Sequence, residues 1–263
     1  MNYFTKISID LANQKDYLDQ LFKVYPLSPD SIRDIDPIIW ENVVESFNRN
    51  DNESLIKALL SLNLFPIKDG YVPYLRKDPS AILRNPQTVN RICGRVRELG
   101  IEKLFERCSE PKETNRQMGP LFRRWIKSGV LGLFPVSEEI FDSNNKNAIL
   151  DGSDANLLDY ATRKLGYKRD KGVDLIARFN GKYIIGEAKF ISDEGGHQNA
   201  QFNDAISTIS TNSKTGVIKI GIMDGVIYIR PKRGSGTNKY KKITEKDLPI
   251  MSALVLREFL YSL

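Results

Sequence analysis

The chain has 263 residues, 41% hydrophobic and 27% charged, the profile of a folded globular protein with material for one or two cores. Nothing in it approaches the roughly 18 uninterrupted apolar residues of a membrane span. The opening Met1-Asn2-Tyr3-Phe4-Thr5-Lys6 runs into Asp10 and Asp16 without the apolar stretch of a secretory signal. The single histidine, His197, removes Ser-His-Asp triads, Cys-His dyads and multi-histidine metal centres; Cys93 and Cys108 are too few for a disulfide framework or a thiolate zinc site. The expectation is a cytoplasmic protein whose chemistry uses carboxylates, lysine and a hard cation, and a net charge of +6 with a pI near 9.1 points to a polyanionic partner.

In chain order, Pro26, Pro29 and Pro37 precede two helical patterns, Trp40 to Phe47 and Glu53 to Leu62, and Pro66, Pro73 and Pro79 follow them. Thr88 to Leu99 reads as an amphipathic helix with Val89, Ile92, Val96 and Leu99 on one face and Gly100 as its stop. Ile101 to Cys108 and Leu121 to Ile126 continue the helical character. The polar stretch Asp142 to Asn147 is the expected boundary between a mostly helical region, 1–141, and a second region, 142–263. There Asp154 reads as the N-cap of a helix running from Asn156 to Leu165 and ended by Gly166. Strands Gly172 to Phe179 and Lys182 to Phe190 flank Asn180-Gly181, a hairpin turn signal. A helix from Gln198 to Ile209, strands Val217 to Met223 and Val226 to Ile229 around an Asp224-Gly225 turn, and a helix from Leu248 to Leu260 complete a mixed α/β unit.

The hairpin carries the chemistry. A two-residue loop at 180–181 pairs residues whose numbers sum to 361, which sets Asp174 opposite Glu187. Opposed side chains leave the same face about 5 Å apart, and Lys189, two residues past Glu187, shares that face. The other face carries Val173, Leu175, Ala177, Phe179, Ile184, Ala188 and Phe190 toward a core. Two close carboxylates repel unless a positive charge sits between them. Magnesium fits that need, and the lysine can orient the attacking water. An ion cluster of no catalytic meaning is the competing reading of these three residues.

Asp174, Glu187 and Lys189, in a strand–turn–strand–helix setting, resemble the PD-(D/E)xK nuclease motif over roughly residues 142–230, with Val173 where the motif's name has proline. The resemblance implies an α/β (α+β) restriction-endonuclease-like core, a central mixed sheet flanked by helices. It implies that Asp174 and Glu187 are Mg2+ ligands and Lys189 the water-positioning lysine. It also implies a further acid on the preceding helix, for which Asp159 fits, and a polar residue on the following helix, for which Gln198 and Gln201 are candidates. A chain of this size with its own helical region most resembles a prokaryotic type II restriction endonuclease, which implies a homodimer cutting double-stranded DNA in a restriction–modification system. A repair or recombination nuclease, and a non-catalytic DNA-binding regulator on the same fold, are the alternatives.

The charge map adds candidate DNA contacts. Residues 1–75 carry a net −4, residues 76–127 a net +7 and residues 230–246 a net +6. Candidates in the first basic segment are Arg91, Arg95, Asn115, Arg116, Gln117, Arg123 and Arg124, residue types that read bases or clamp phosphates. In the second, Lys232, Arg233, Asn238 and Lys239 belong to a glycine-containing basic run suited to following a backbone, without the spacing of a P-loop.

Overall fold

The structure, a computed structural model, describes residues 1–27, 32–111, 114–231 and 238–263, with the side chains of 114–116, 197 and 238 outside that description. The elements in order are α1 (Tyr3–Ala12), α2 (Tyr17–Val24), α3 (Pro37–Asn48), α4 (Asn52–Ser61), α5 (Val72–Lys77), α6 (Ala81–Arg84), α7 (Pro86–Leu99), α8 (Ile101–Ser109), α9 (Thr114–Lys127) and α10 (Glu138–Ser143). They continue with β1 (Ala148–Ile149), α11 (Asp154–Leu165), β2 (Leu175–Phe179), β3 (Lys182–Ile191), α12 (Gly196–Ser210), β4 (Ile218–Gly225), α13 (Asn238–Glu245), β5 (Ile250–Met251) and α14 (Leu256–Tyr261).

The chain divides differently from the boundary expected at 141/142. One unit is Met1–Leu27 with Glu113–Leu263; the other is Ser28–Lys112. The physical reason is packing. Tyr17, Leu21 and Val24 of α2 and Met118, Leu121, Phe122 and Ile126 of α9 share one core with the sheet residues Leu175, Ala177, Phe179, Ile184, Ile220 and Ile222. These helices have no core of their own, so they belong to the sheet.

In this larger unit the strands lie in the order β1-β2-β3-β4-β5. The β1–β2 and β2–β3 pairs are antiparallel, and β3–β4 and β4–β5 are parallel. Parallel neighbours need a crossover, and α12 supplies the one between β3 and β4. The opposite face of the sheet is covered as well. Leu157, Tyr160, Ala161 and Leu165 of α11 pack with Ile176 and Ile185, while Phe202 and Ala205 of α12 pack with Ile191 and Met223. The hairpin is therefore apolar on both faces over most of its length, and Val173 joins the α11 side rather than the Leu175 side. Arg178 is also buried on that side. Its guanidinium donates to Phe141 O at 2.8 Å and to Lys146 O at 2.9 and 3.0 Å, with its carbon 4.6 Å from the Phe141 ring centre.

Several local expectations change. Ser153, not Asp154, caps α11 by accepting from Asn156 N at 3.2 Å. No strand follows Asp224-Gly225; Val226–Tyr228 is a 3-10 turn. Asp224, the next-to-last residue of β4, lies inside the core, fully buried, accepting from Tyr25 Oη at 2.8 Å, Ala253 N at 3.3 Å and Ser252 Oγ. Burial pushes its carboxyl up to about 6, against the pull of those donors. Leu248 to Leu260 is not one helix but β5, a 3-10 turn at Ala253–Val255 and α14.

The smaller unit holds α3 to α8 around a separate core that includes Val43, Leu55, Ile56, Leu59, Ile92, Val96 and Leu104. Asp36 caps α3 through Ile38 N at 2.9 Å with Pro37 behind it, and Asp51 caps α4 through Ser54 N at 3.1 Å. Arg97 faces inward, donating to Phe47 O at 2.6 Å and Asn52 Oδ1 at 2.9 Å.

Candidate active site

The turn that sets the site is as expected. Asn180 and Gly181 both have positive φ, 49° and 76°, the backbone of a type I′ turn. The pairs run from Phe179↔Lys182 to Leu175↔Gly186, all summing to 361. Asp174 lies one residue past the last pair. Its amide donates to Gly186 O at 2.9 Å, and its Oδ2 accepts from Ala188 N at 2.8 Å. The carboxylate is thus pinned at the head of the strand rather than squarely opposite Glu187.

Asp174, Glu187 and Lys189 line one cavity of about 310 Å3 beside Asp154, Asp170, Lys171, Gly172 and Asp204. Lys189 Nζ is 2.9 Å from Glu187 Oε1, and the Glu187 side chain is 2% exposed. Burial raises the Asp174 carboxyl to about 6; Lys189 and the Ala188 amide pull it down, and the Glu187 charge pushes it up. Burial works against the Lys189 ammonium, but Glu187 and Asp174 outweigh it and hold its pKa above the ordinary lysine value. The amine is therefore a charged donor, suited to orienting a water or an anionic oxygen rather than removing a proton.

A second group of residues, which sequence reasoning missed, surrounds Glu187. Thr208 Oγ1 donates to Glu187 Oε2 and accepts from Arg169 Nη1 at 2.9 Å; the Tyr167 hydroxyl lies 3.2 Å away. Arg169 also donates to Asp204 O at 2.8 Å and Asp204 Oδ1 at 2.6 Å. Burial disfavours the Asp204 charge, yet Lys171 and Arg169 overcome that and hold its carboxyl low. A signal did exist: Asp204 and Thr208 are four apart, one face of the helix expected over 198–209.

Other expected site residues fall elsewhere. Asp159 does not line the cavity; it pairs with Arg163 at 2.6 Å on the exposed side of α11. Asp154, five residues earlier, lines the cavity instead and pairs with Arg123. The helix meets the cavity with its first turn, so the residue nearest the N-terminus is the one that reaches it. Gln198, expected to face the site and contact DNA, is buried, donating to Ser192 Oγ at 3.0 Å and accepting from Ser192 N at 3.3 Å, so it braces the end of β3 and does not line the cavity. Lys239 is also buried, 3.1 Å from Glu194 Oε2. Arg91 and Arg95 are exposed on α7, 2.6 and 3.9 Å from Asp69 Oδ2. Arg124 is exposed and Gln117 half-buried. Lys232 and Arg233 lie outside the described residues, as do the side chains of Asn115, Arg116, His197 and Asn238.

Among the described residues, no group of three or more His, Cys, Asp or Glu side chains is placed to hold a metal ion. Asp174 and Glu187 are nonetheless two converging carboxylates, a donor set magnesium accepts when water and substrate phosphate complete its shell.

A mixed sheet whose antiparallel hairpin carries an acid pair and a lysine, extended by a parallel strand through a helical crossover, defines the restriction-endonuclease-like class. Comparison with known families narrows this. The model of the Tsp45I type II restriction enzyme family matches residues 2–263, and the chain belongs to that family. No curated protein and no solved structure matches it. Membership makes it a site-specific deoxyribonuclease acting on double-stranded DNA. Among the described residues, no helix is long and apolar enough to cross a membrane.

Proposed function

We propose that this chain is a magnesium-dependent restriction endonuclease, acting as a homodimer in the cytoplasm of a prokaryotic restriction–modification system, with Asp174 and Glu187 holding the cation and Lys189 holding the attacking water. The observation that carries this reading is the meeting of the three side chains at one cavity, with Lys189 Nζ 2.9 Å from Glu187 Oε1. When bound, the cation supplies Lewis-acid polarisation of the phosphate and a more acidic water. Burial holds the Asp174 carboxyl up at about 6, and the charge of a bound cation would favour its ionised form. Lys189 donates to the water and to the phosphoryl oxygens as negative charge grows on them. The water releases a proton to solvent as its oxygen bonds to phosphorus, the bond from phosphorus to the leaving sugar oxygen breaks, and that oxygen takes up a proton from solvent.

The helical unit is proposed to read the DNA. It holds 13 basic and 13 acidic residues and so is neutral, but residues 68–97 within it carry seven basic against two acidic. Arg91 and Arg95 stand out from this segment with the exposed rings of Tyr71 and Tyr74. Asp69 holds the Arg91 guanidinium at 2.6 Å with Arg95 farther off at 3.9 Å, and Tyr71 lies under Arg91 at 5.6 Å. Such a surface suits phosphate clamping and base reading. In the nuclease unit, Arg123 and Arg124 are proposed to follow the DNA backbone, and Lys232 and Arg233, by their charge alone, to contact phosphates.

Plasmid digestion tests the proposal. Discrete bands should appear with Mg2+ and vanish with chelator, and light scattering should give twice the chain mass. Asp174→Ala should lose cleavage while still shifting DNA in a gel; full activity in that variant refutes the assignment.

A further inference from the structure

We infer that Thr208, seated between Arg169 and Glu187, is a positioning residue that fixes the orientation of the Glu187 carboxylate so that one of its oxygens faces the cavity. The inference rests on the proposed metal-holding role of Glu187. A guanidinium can only donate, so at 2.9 Å from Arg169 Nη1 the Thr208 hydroxyl must accept. Its single proton then goes to Glu187 Oε2, since the other oxygens in reach, the Tyr167 hydroxyl at 3.2 Å and Gly172 O at 3.5 Å, are farther, and the tyrosine proton has Lys171 O at 3.0 Å. Arg169 Nη1 adds a weaker contact to the same Oε2 at 3.5 Å. Oε1 is left toward Lys189, 2.9 Å away. The two oxygens of one carboxylate therefore have separate duties: Oε2 is tied to α12, and Oε1 is presented to the cavity.

Two further features fit this role. Arg169 is itself held by Asp204, so the hydroxyl's donor cannot swing away without breaking bonds at 2.6 and 2.8 Å. Gly172 makes the room. Its φ is 88°, and a side-chain carbon there would sit 2.5 Å from Thr208 Oγ1 and 2.6 Å from Glu187 Oε2. Loss of an outer hydrogen-bond partner of this kind typically weakens metal binding about 10- to 100-fold.

The test uses the full chain. Thr208→Val removes the hydroxyl at nearly equal volume, Thr208→Ser keeps it, and Thr208→Ala carries the test should the valine variant not fold. Calorimetry with Mg2+ in the absence of DNA should show about tenfold weaker binding for Thr208→Val, with Thr208→Ser within about threefold of wild type. The Mg2+ concentration giving half-maximal cleavage should shift by the same factor. DNA affinity in chelator should not move. Wild-type Mg2+ binding in folded Thr208→Val, or Thr208→Ser failing as Thr208→Val does, overturns the inference. Glu187→Gln separates the two levels. If it abolishes Mg2+ binding while Thr208→Val does not, the positioning role alone falls; if Glu187→Gln has no effect, the site assignment falls and this inference with it.

Discussion

Asp174→Asn should make the metal-free protein more stable while destroying its activity. Asparagine keeps the shape and leaves an oxygen to accept from Ala188 N, now at 2.8 Å, but carries no charge. In the native fold the carboxyl sits at about 6, up from an ordinary value of 3.8. Two units at about 1.36 kcal/mol each give roughly 3 kcal/mol that the buried charge costs once it forms. An acid whose pKa is raised by folding destabilises the fold as pH climbs. Below about pH 4 both states are protonated and wild type and variant should melt alike. Between pH 4 and 6 they should separate, and above 6 the gap should be full. For a unit of this size that is roughly 6–12 °C in midpoint. Scanning calorimetry in chelator at pH 4 and pH 8 reads it directly. Added Mg2+ should narrow the gap by stabilising wild type alone. A variant melting at or below wild type at pH 8 would refute the account of a charge held at a cost until a cation arrives.

Three other outcomes follow from the same geometry. Arg178→Ala leaves the carbonyls of Phe141 and Lys146 without their buried donor and should cost about 3–4 kcal/mol in urea unfolding, with Arg178→Lys recovering little because only a planar fork spans both. Asp159→Ala should leave cleavage and the Mg2+ requirement within about twofold of wild type, because its side chain faces solvent and Arg163. Arg91→Ala should lower DNA affinity and flatten the logarithmic salt dependence of binding by about one, whereas an unchanged slope would remove Arg91 from the phosphate contacts.

The part of the site legible in the sequence was the part fixed by local rules. Asn-Gly dictates a two-residue turn, a two-residue turn dictates the register, and register places Glu187 and Lys189 on one face beside Asp174. What escaped was set by distant contacts. Thr208 reaches Glu187 across a separation of 21 residues, and only the packing of α12 on β3 brings them together. Asp224-Gly225 has the composition of a turn, yet the strand runs through it because Tyr25, Ser252 and the Ala253 amide meet the carboxylate inside the core. The 148–149 and 250–251 strands are two residues each, too short to leave a period. The helices at 3–12 and 17–24 carry no sign that their apolar faces belong to a sheet more than a hundred residues away.

That long reach has a consequence for how the enzyme comes into being. Thr5 Oγ1 bonds Ile250 O at 2.6 Å, and Tyr25 Oη bonds Asp224, so the first two helices find their partners 245 and 199 residues further along the chain. The intervening 28–112 stretch is contiguous and can settle on its own while the ribosome is still at work. The cutting body cannot. This order predicts a nascent chain whose 28–112 core has formed while the sheet still lacks its last strand until synthesis has passed Met251.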